Sequence, residues 1–352
     1  MAEPESIEPD RFEGTPHPRE QFRLVGHADA ENAFVEAIRS SRLHHAWLIG
    51  GPAGIGKATL AYRVARRVLA LRPGEGARVA DLDLPADSTV ARQVGALSHP
   101  NLVVLRRQPP SERKPASAII NVDAVRRART VFERTAADGG HRVCIVDSAE
   151  DLNAASANAL LKVVEEPPPH TLFLIVSHAP QRLLPTIRSR CRRLLLRPLD
   201  EPHIRAVIGS LGPPWSEIEE ELLAGAVRLG DGSVRRTLEL LERDRIELAA
   251  RVTAALDALP SVDDRAVLGL AEDLARKDAG PLYELALDTV DRWIGERIRM
   301  GAGAGAARLA PLVEVCEKVA RTAREIDIYN LDRRPLVLSL FDDLADAIRR
   351  TG

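Results

Sequence analysis

Apolar residues follow two regimes along this chain of 352 residues. Over roughly the first 200 positions, short apolar runs alternate with stretches in which apolar residues recur every three or four places. Beyond about residue 198 the short runs vanish and only the helical period remains. Ala28–Ser40 has helical spacing. Ala46-Trp47-Leu48-Ile49 is a short strand, and Lys57–Leu71 is again helical. Further strands are predicted at Leu102–Leu105, Arg142–Asp147, Thr171–Val176 and Arg193–Leu196. Helices are predicted at Val122–Ala136 and Ala154–Glu166, the second stopped by Pro167-Pro168-Pro169. Such alternation predicts a parallel sheet with helices on both faces. Residues 72–98 contain Gly, Pro and Asp without clear period and read as an insertion or long loop. Helices follow at roughly 201–211, 215–228 and 232–243, and a further helical block covers about 250–352.

Composition narrows the class. Charge is nearly balanced, with a formal net of −2, so the whole chain carries no general attraction to nucleic acid; contact with DNA would need a local patch or an assembly. Cys144, Cys191 and Cys316 lie far apart with no C-x-x-C pair. This excludes a disulfide framework and a Cys-rich zinc site and fits a reducing cytoplasm. No apolar run approaches the ~20 residues of a membrane span. Residues 1–20 are rich in Pro, Glu and Arg; they lack the features of a signal peptide and read as a disordered lead-in. Basic residues are nearly all Arg, with Lys only at 57, 114, 162, 277 and 318. Against that background, a Lys in the next motif stands out.

The motif is Gly51-Pro52-Ala53-Gly54-Ile55-Gly56-Lys57-Ala58-Thr59, set between a predicted strand and a predicted helix. This is the spacing and context of a phosphate-binding loop, in which backbone N–H groups and the Lys hold phosphates at a helix N-terminus. The following position normally supplies a hydroxyl to Mg²⁺, and here it is Ala58. Thr59 sits one place late, about 100° further around the helix, and is not assigned to the metal. The plainer alternative is a Gly-rich turn that binds nothing. A second acid-bearing position is Asp147, at the end of the strand Val143–Val146. An acid there holds Mg²⁺ through water in P-loop ATPases, and a Glu directly after it polarises the attacking water. Here the next residue is Ser148, which cannot serve as that base. Glu150 would have to reach back, and Asp147 could equally be a strand-end cap.

Asn158-Ala159-Leu160-Leu161-Lys162-Val163-Val164-Glu165-Glu166-Pro167-Pro168, followed by Ser189-Arg190-Cys191, resembles the clamp-loader branch of the AAA+ ATPases, as found with bacterial DNA polymerase III. The resemblance runs from about Leu24-Val25-Gly26-His27 to a C-terminal helix near Pro335–Ile348. Residues 147–191 carry most of its specificity, and words such as Asn330-Leu331-Asp332 add little. It implies an α/β AAA+ P-loop domain over 21–198, a small helical lid domain over 199–248 and an all-helical collar domain over 249–352. It implies that Arg190 is an arginine finger acting in trans. A guanidinium keeps its charge and offers planar donors to a γ-phosphate, and such fingers raise rates by ~10³–10⁵. The plainer reading of Arg190 is a surface Arg at a helix end. Ser177 falls at the polar first-sensor position. Arg235 falls at the second-sensor position that reaches nucleotide phosphates, with an exposed Arg as the alternative. The implied nucleotide is ATP or ADP with Mg²⁺. No zinc is implied, because residues 72–98 lack the four cysteines many relatives carry there.

Two hydrolytic parts, the Mg²⁺ hydroxyl and the water-activating acid, are altered together. The leading expectation is therefore a non-motor, stator-like ring subunit without ATPase activity of its own. It would belong to a DNA polymerase holoenzyme whose catalytic activity belongs to the complex. Implied partners are gamma/tau motor subunits, a delta subunit, the sliding clamp and primed DNA, in the cytoplasm and at the nucleoid. The alternative is an active motor subunit of the same loader, using Thr59 and Glu150. A more distant one is another AAA+ protein such as a helicase loader.

Overall fold

The computed structural model describes residues 11–72, 74–108, 117, 119–133, 140–276, 278–301, 306–329 and 331–351. In chain order the elements begin with α1 (Ala28–Arg39), β1 (Ala46–Gly50), α2 (Lys57–Leu69), α3 (Thr89–Gly95), β2 (Leu102–Arg106), α4 (Val122–Glu133) and β3 (Arg142–Asp147). Next come α5 (Ala154–Glu165), β4 (Thr171–Ser177), α6 (Pro185–Arg190), β5 (Arg192–Leu195), α7 (Glu201–Ser210), α8 (Glu220–Leu229) and α9 (Val234–Glu239). The last five are α10 (Arg243–Asp257), α11 (Asp264–Leu274), α12 (Gly280–Met300), α13 (Ala306–Tyr329) and α14 (Arg334–Thr351). The predicted extension of α4 to Ala136, the first ten residues of the lead-in, and Asn330 lie outside the described residues.

All five strands are parallel, in the order β2-β3-β4-β1-β5. Successive side chains of a strand point to opposite faces, and the core divides accordingly. Trp47, Ile49, Val143, Ile145, Leu172 and Leu174 pack with α1 and α2. Leu48, Cys144, Val146, Phe173 and Ile175 pack with α4, α5 and Ile187 of α6. Burial on both faces explains why these strands read as continuous apolar runs with no alternation. The predicted α/β architecture followed by helices is the one observed. Among the described residues no helix is long and apolar enough to cross a membrane.

The chain divides into two compact units that cut across the 199–248 stretch. One runs to Ile218 and also takes Gly230–Arg236; the other takes Glu219–Leu229 and Thr237–Gly352. Among the described residues the second unit holds helices and no strand, with a core that includes Leu256, Leu270, Trp293, Leu340, Phe341 and Leu344.

Several local expectations are corrected. Residues 11–20, read as part of a disordered lead-in, are packed: His17 is fully buried and caps the short 3₁₀ turn Pro18–Glu20. The anchor lies on α2. The buried Arg66 guanidinium donates to the carbonyls of Arg19 (2.7 Å) and Gln21 and covers the Phe22 ring at 4.3 Å. Further out, Trp215 donates to the Gly14 carbonyl at 2.9 Å and meets Phe12 edge-on. The 72–98 stretch is not all loop, since it contains α3, N-capped by Ser88, and buries Val79, Leu82 and Val94. The helix expected over 215–228 is interrupted. Trp215–Glu217 forms a 3₁₀ turn, Ile218 is extended, and α8 begins at Glu220.

Candidate nucleotide-binding site

The carboxyl edge of a parallel sheet is where ligands meet such folds, and the P-loop, Asp147 and Ser177 all lie there. β1 runs into the loop, whose Gly51, Gly54 and Gly56 have φ of 139°, 72° and 101°. Only glycine adopts these angles without strain. The space is equally restrictive. A Cβ on Gly51 would stand 2.5 Å from the Leu196 carbonyl oxygen, and one on Gly54 would stand 2.4 Å from Arg235 Cβ. His27, just before α1, fixes the loop from below by donating from Nε2 to the Ile55 carbonyl at 2.7 Å. Burial holds the His27 pKa below its ordinary value, so the ring is neutral there.

Lys57 opens α2 and is only 3% exposed. Its ammonium donates to the Pro52 carbonyl across the loop. Burial lowers its pKa to about 8, against the opposing pull of Asp147 and Glu150. A buried cation at the mouth of a Gly-wrapped helix N-terminus suits a phosphate chain. Ala58 offers no oxygen to a metal, and Thr59 is the next residue along the half-buried start of α2. The residues therefore fit the phosphates of a nucleotide but supply an incomplete Mg²⁺ set. Among the described residues no three His, Cys, Asp or Glu side chains are grouped to hold a metal ion.

Asp147 is buried at the end of β3, in register with Arg106 of β2. Glu150 follows on the 3₁₀ turn Ala149–Asp151. One of its oxygens accepts two hydrogen bonds, from the Ser177 hydroxyl and from the Ala179 N–H at 2.7 Å. These bonds outweigh burial and hold the Glu150 pKa below its ordinary value. Glu150 is thus an ionised carboxylate anchored across the ends of β3 and β4. Ser148 Oγ lies 2.9 Å from His178 Nε2. Desolvation and then the charge of Lys57 lower the His178 pKa; Arg235 and Arg107 add to the effect, and Glu150 opposes it.

Arg235 is brought to the loop by a backbone graft. The Val234 N–H donates to the Gly54 carbonyl at 3.0 Å, while the Leu199 N–H donates to the Gly232 carbonyl at 2.9 Å. Arg235 is exposed at this junction and its neighbour Arg236 is buried. The predicted set Gly51–Lys57, Asp147, Ser177 and Arg235 is therefore gathered in one place. Arg190 is held elsewhere. It ends α6, is 39% exposed, pairs with Glu165 of α5 at 2.8 Å and donates to the Thr186 carbonyl at 3.0 Å. Cys191 beside it is buried, its thiol pushed up to about 11, as a small core residue should be. Sequence reasoning missed His178 and Arg107. The available signal was position, since each directly follows the end of a strand at the site's edge of the sheet.

A P-loop on a five-stranded parallel sheet of this order, with an Arg-bearing segment grafted onto the loop, is an AAA+-type arrangement. The family described as DNA polymerase III, delta subunit matches residues 26–200. DNA polymerase III subunit delta' of Pseudomonas aeruginosa is 41% identical over 147 residues, covering 42% of this chain and 41% of the relative. Subunit delta' of Escherichia coli is 33% identical over 230 residues, covering 65% and 64%. DNA polymerase III subunit gamma/tau of Mycobacterium tuberculosis is 29% identical over 272 residues, covering 76% and 45%. The matches thus span less than two thirds of these relatives' own lengths. Over residues 26–200, just under half of the chain, the protein is similar to the family described as DNA polymerase III, delta subunit, and subunits delta' and gamma/tau are both among its relatives.

Proposed function

We propose that this chain is a non-motor subunit of a clamp loader, binding nucleotide without turning it over and lending Arg190 to a neighbouring ATPase site. The observation that carries this reading is the commitment of Glu150. It is the carboxylate that would have to replace the missing base, and Ser177 and the Ala179 N–H hold it in place. Ala58 removes the metal hydroxyl, and Ser148 shares a hydrogen bond with His178. Arg190 suits a trans role because its guanidinium stands at the surface on an ion pair of the exposed kind, worth ~1 kcal/mol or less. A nucleotide phosphate on an adjacent subunit would compete readily with Glu165 for it. In the assembled ring the partners are gamma/tau motors and a delta subunit, and the cargo is a sliding clamp placed on primed DNA. The work belongs to the cytoplasm at the nucleoid.

The similarity to gamma/tau and the retained Lys57 favour a second reading, an active motor subunit. Turnover by the purified chain with Mg²⁺, ATP and primed DNA separates the two. Background hydrolysis is expected; robust hydrolysis abolished by Lys57→Ala would establish the motor and end the stator reading.

A further inference from the structure

β5 is an edge of the sheet, paired with β1 alone. The Leu196 N–H, just beyond it, donates to the Gly50 carbonyl at 2.8 Å. Peptide groups alternate sides along a strand, so the N–H and C=O of Arg193 and Leu195 point away from β1 into the open edge. The side chains of these two residues share one face of the sheet. Leu195 is 66% exposed, and Arg193 and Arg197, two places to either side, are exposed as well. Neither guanidinium has a hydrogen-bond or ion-pair partner among the described residues. Gly50 lies opposite Leu195 in the ladder, and a Cβ there would stand 2.5 Å from Pro180 and 2.8 Å from Leu195. The glycine lets Pro180 and Leu195 close over the strand end as a small apolar surface.

We propose that the open edge of β5 is a docking site for an extended acidic segment of a partner protein, which joins the sheet as a further strand. Sheet edges are ordinarily guarded by charge, and the arginines alone would do that. An exposed leucine set between them guards nothing. It gives an incoming strand something to cover, while the open N–H and C=O groups give it main-chain hydrogen bonds. The incoming strand meets the row Arg193, Leu195 and Arg197 with its own side chains at a spacing of two. Its matching pattern is therefore acidic, any, apolar, any, acidic, since opposite charges and apolar pairs are favourable across strands. Arg192 adds a third positive charge on the opposite face, where its guanidinium lies over the Trp47 ring at 4.5 Å. A single nucleic-acid strand would meet the arginines, but the row holds no aromatic ring on which a base could stack. It would also leave the backbone groups of Arg193 and Leu195 without partners.

The inference stands apart from the nucleotide site and from Arg190. Its test is fluorescence anisotropy of the full chain with a labelled peptide whose core runs glutamate, threonine, leucine, threonine, glutamate. A scrambled peptide of the same composition and a labelled oligothymidylate are measured beside it. The variants are Arg193→Glu, Arg197→Glu and Leu195→Thr, with Arg39→Glu at the exposed end of α1 as the control. Circular dichroism checks that each is folded. The parent should bind the patterned peptide saturably, and the scrambled one at least about fivefold more weakly. A favourable cross-strand pair corresponds to up to about fivefold in affinity, so each charge reversal should cost at least about that factor. Leu195→Thr, which suits a strand, should weaken binding by a similar factor, and Arg39→Glu should bind like the parent. No saturable binding at millimolar peptide, equal binding of the scrambled peptide, or a loss in Arg39→Glu equal to that in Arg193→Glu would each overturn the proposal. Oligothymidylate binding that exceeds peptide binding and is lost in the same edge variants would make the edge a nucleic-acid contact and overturn it too.

Discussion

Lys57 should cost this protein stability, and the size of that cost can be worked out. The ammonium is 3% exposed and its pKa falls from 10.5 to about 8, chiefly through desolvation. At ~1.4 kcal/mol per pKa unit, folding with the charge buried costs about 3 kcal/mol at neutral pH. Lys57→Met keeps the side chain's length and removes the charge. It also removes the hydrogen bond to the Pro52 carbonyl, worth about 1 kcal/mol. The variant should therefore be more stable than the parent by about 2 kcal/mol at pH 7. The pH dependence has a definite sign. Between about pH 8 and pH 10.5 the unfolded chain binds the Lys57 proton and the folded chain does not, so the parent gains stability as pH rises through that window. The advantage of Lys57→Met should shrink by about 2 kcal/mol at about pH 9.5. Urea unfolding followed by tryptophan fluorescence measures both. A Trp293→Phe background leaves Trp47 and Trp215, which report on the first unit alone. A Lys57→Met chain no more stable than the parent at pH 7, or an advantage independent of pH, would refute the reasoning.

Gly54→Ala should destabilise the first unit by about 2–4 kcal/mol, read as a drop in urea midpoint. It places a Cβ at a φ of 72° and 2.4 Å from Arg235 Cβ. Arg66→Met should cost about 2–4 kcal/mol by leaving the Arg19 and Gln21 carbonyls without their donors, and limited proteolysis should then cut within residues 11–22. With iodoacetamide at neutral pH, Cys316 should be alkylated first. Cys144 and Cys191 are buried and their thiols are pushed upward, so peptide mapping should find them modified only in denaturant.

Most of the sheet was legible because its signal is local. Val143–Val146 and Thr171–Val176 are apolar on both faces, and the glycines at 51, 54 and 56 fix the loop whatever surrounds it. The N-terminal segment was not legible because polar groups hold it. Arg66 looks like one more Arg in an Arg-rich chain until its donors are seen on the carbonyls of residues 19 and 21. The α3 helix did carry a signal, Ser88 accepting from the Ala91 N–H at 3.2 Å, but α3 is only seven residues long and shows less than two turns of period. At the site, spacing supplied the P-loop, the end of a strand marked Asp147, and the family resemblance pointed to Arg235. The anchoring of Glu150 by Ser177, and the pairing of Ser148 with His178, join residues 27 and 30 positions apart, and no local pattern encodes either.

The central claim is that this chain serves a neighbour's hydrolysis more than its own. Its most direct test is the primed-DNA-dependent ATPase rate of a reconstituted clamp loader carrying either the parent chain or Arg190→Ala, with the folding and nucleotide binding of the free chain measured alongside. Arg190→Ala should leave the free chain's fold and nucleotide affinity unchanged, because its side chain contacts only Glu165, Thr186 and Ser189 among the described hydrogen bonds and ion pairs. The ring's rate should fall, though by far less than the ~10³–10⁵ a finger is worth at its own site, because unaltered sites continue to fire. An unchanged ATPase rate in a ring that still assembles would contradict the account.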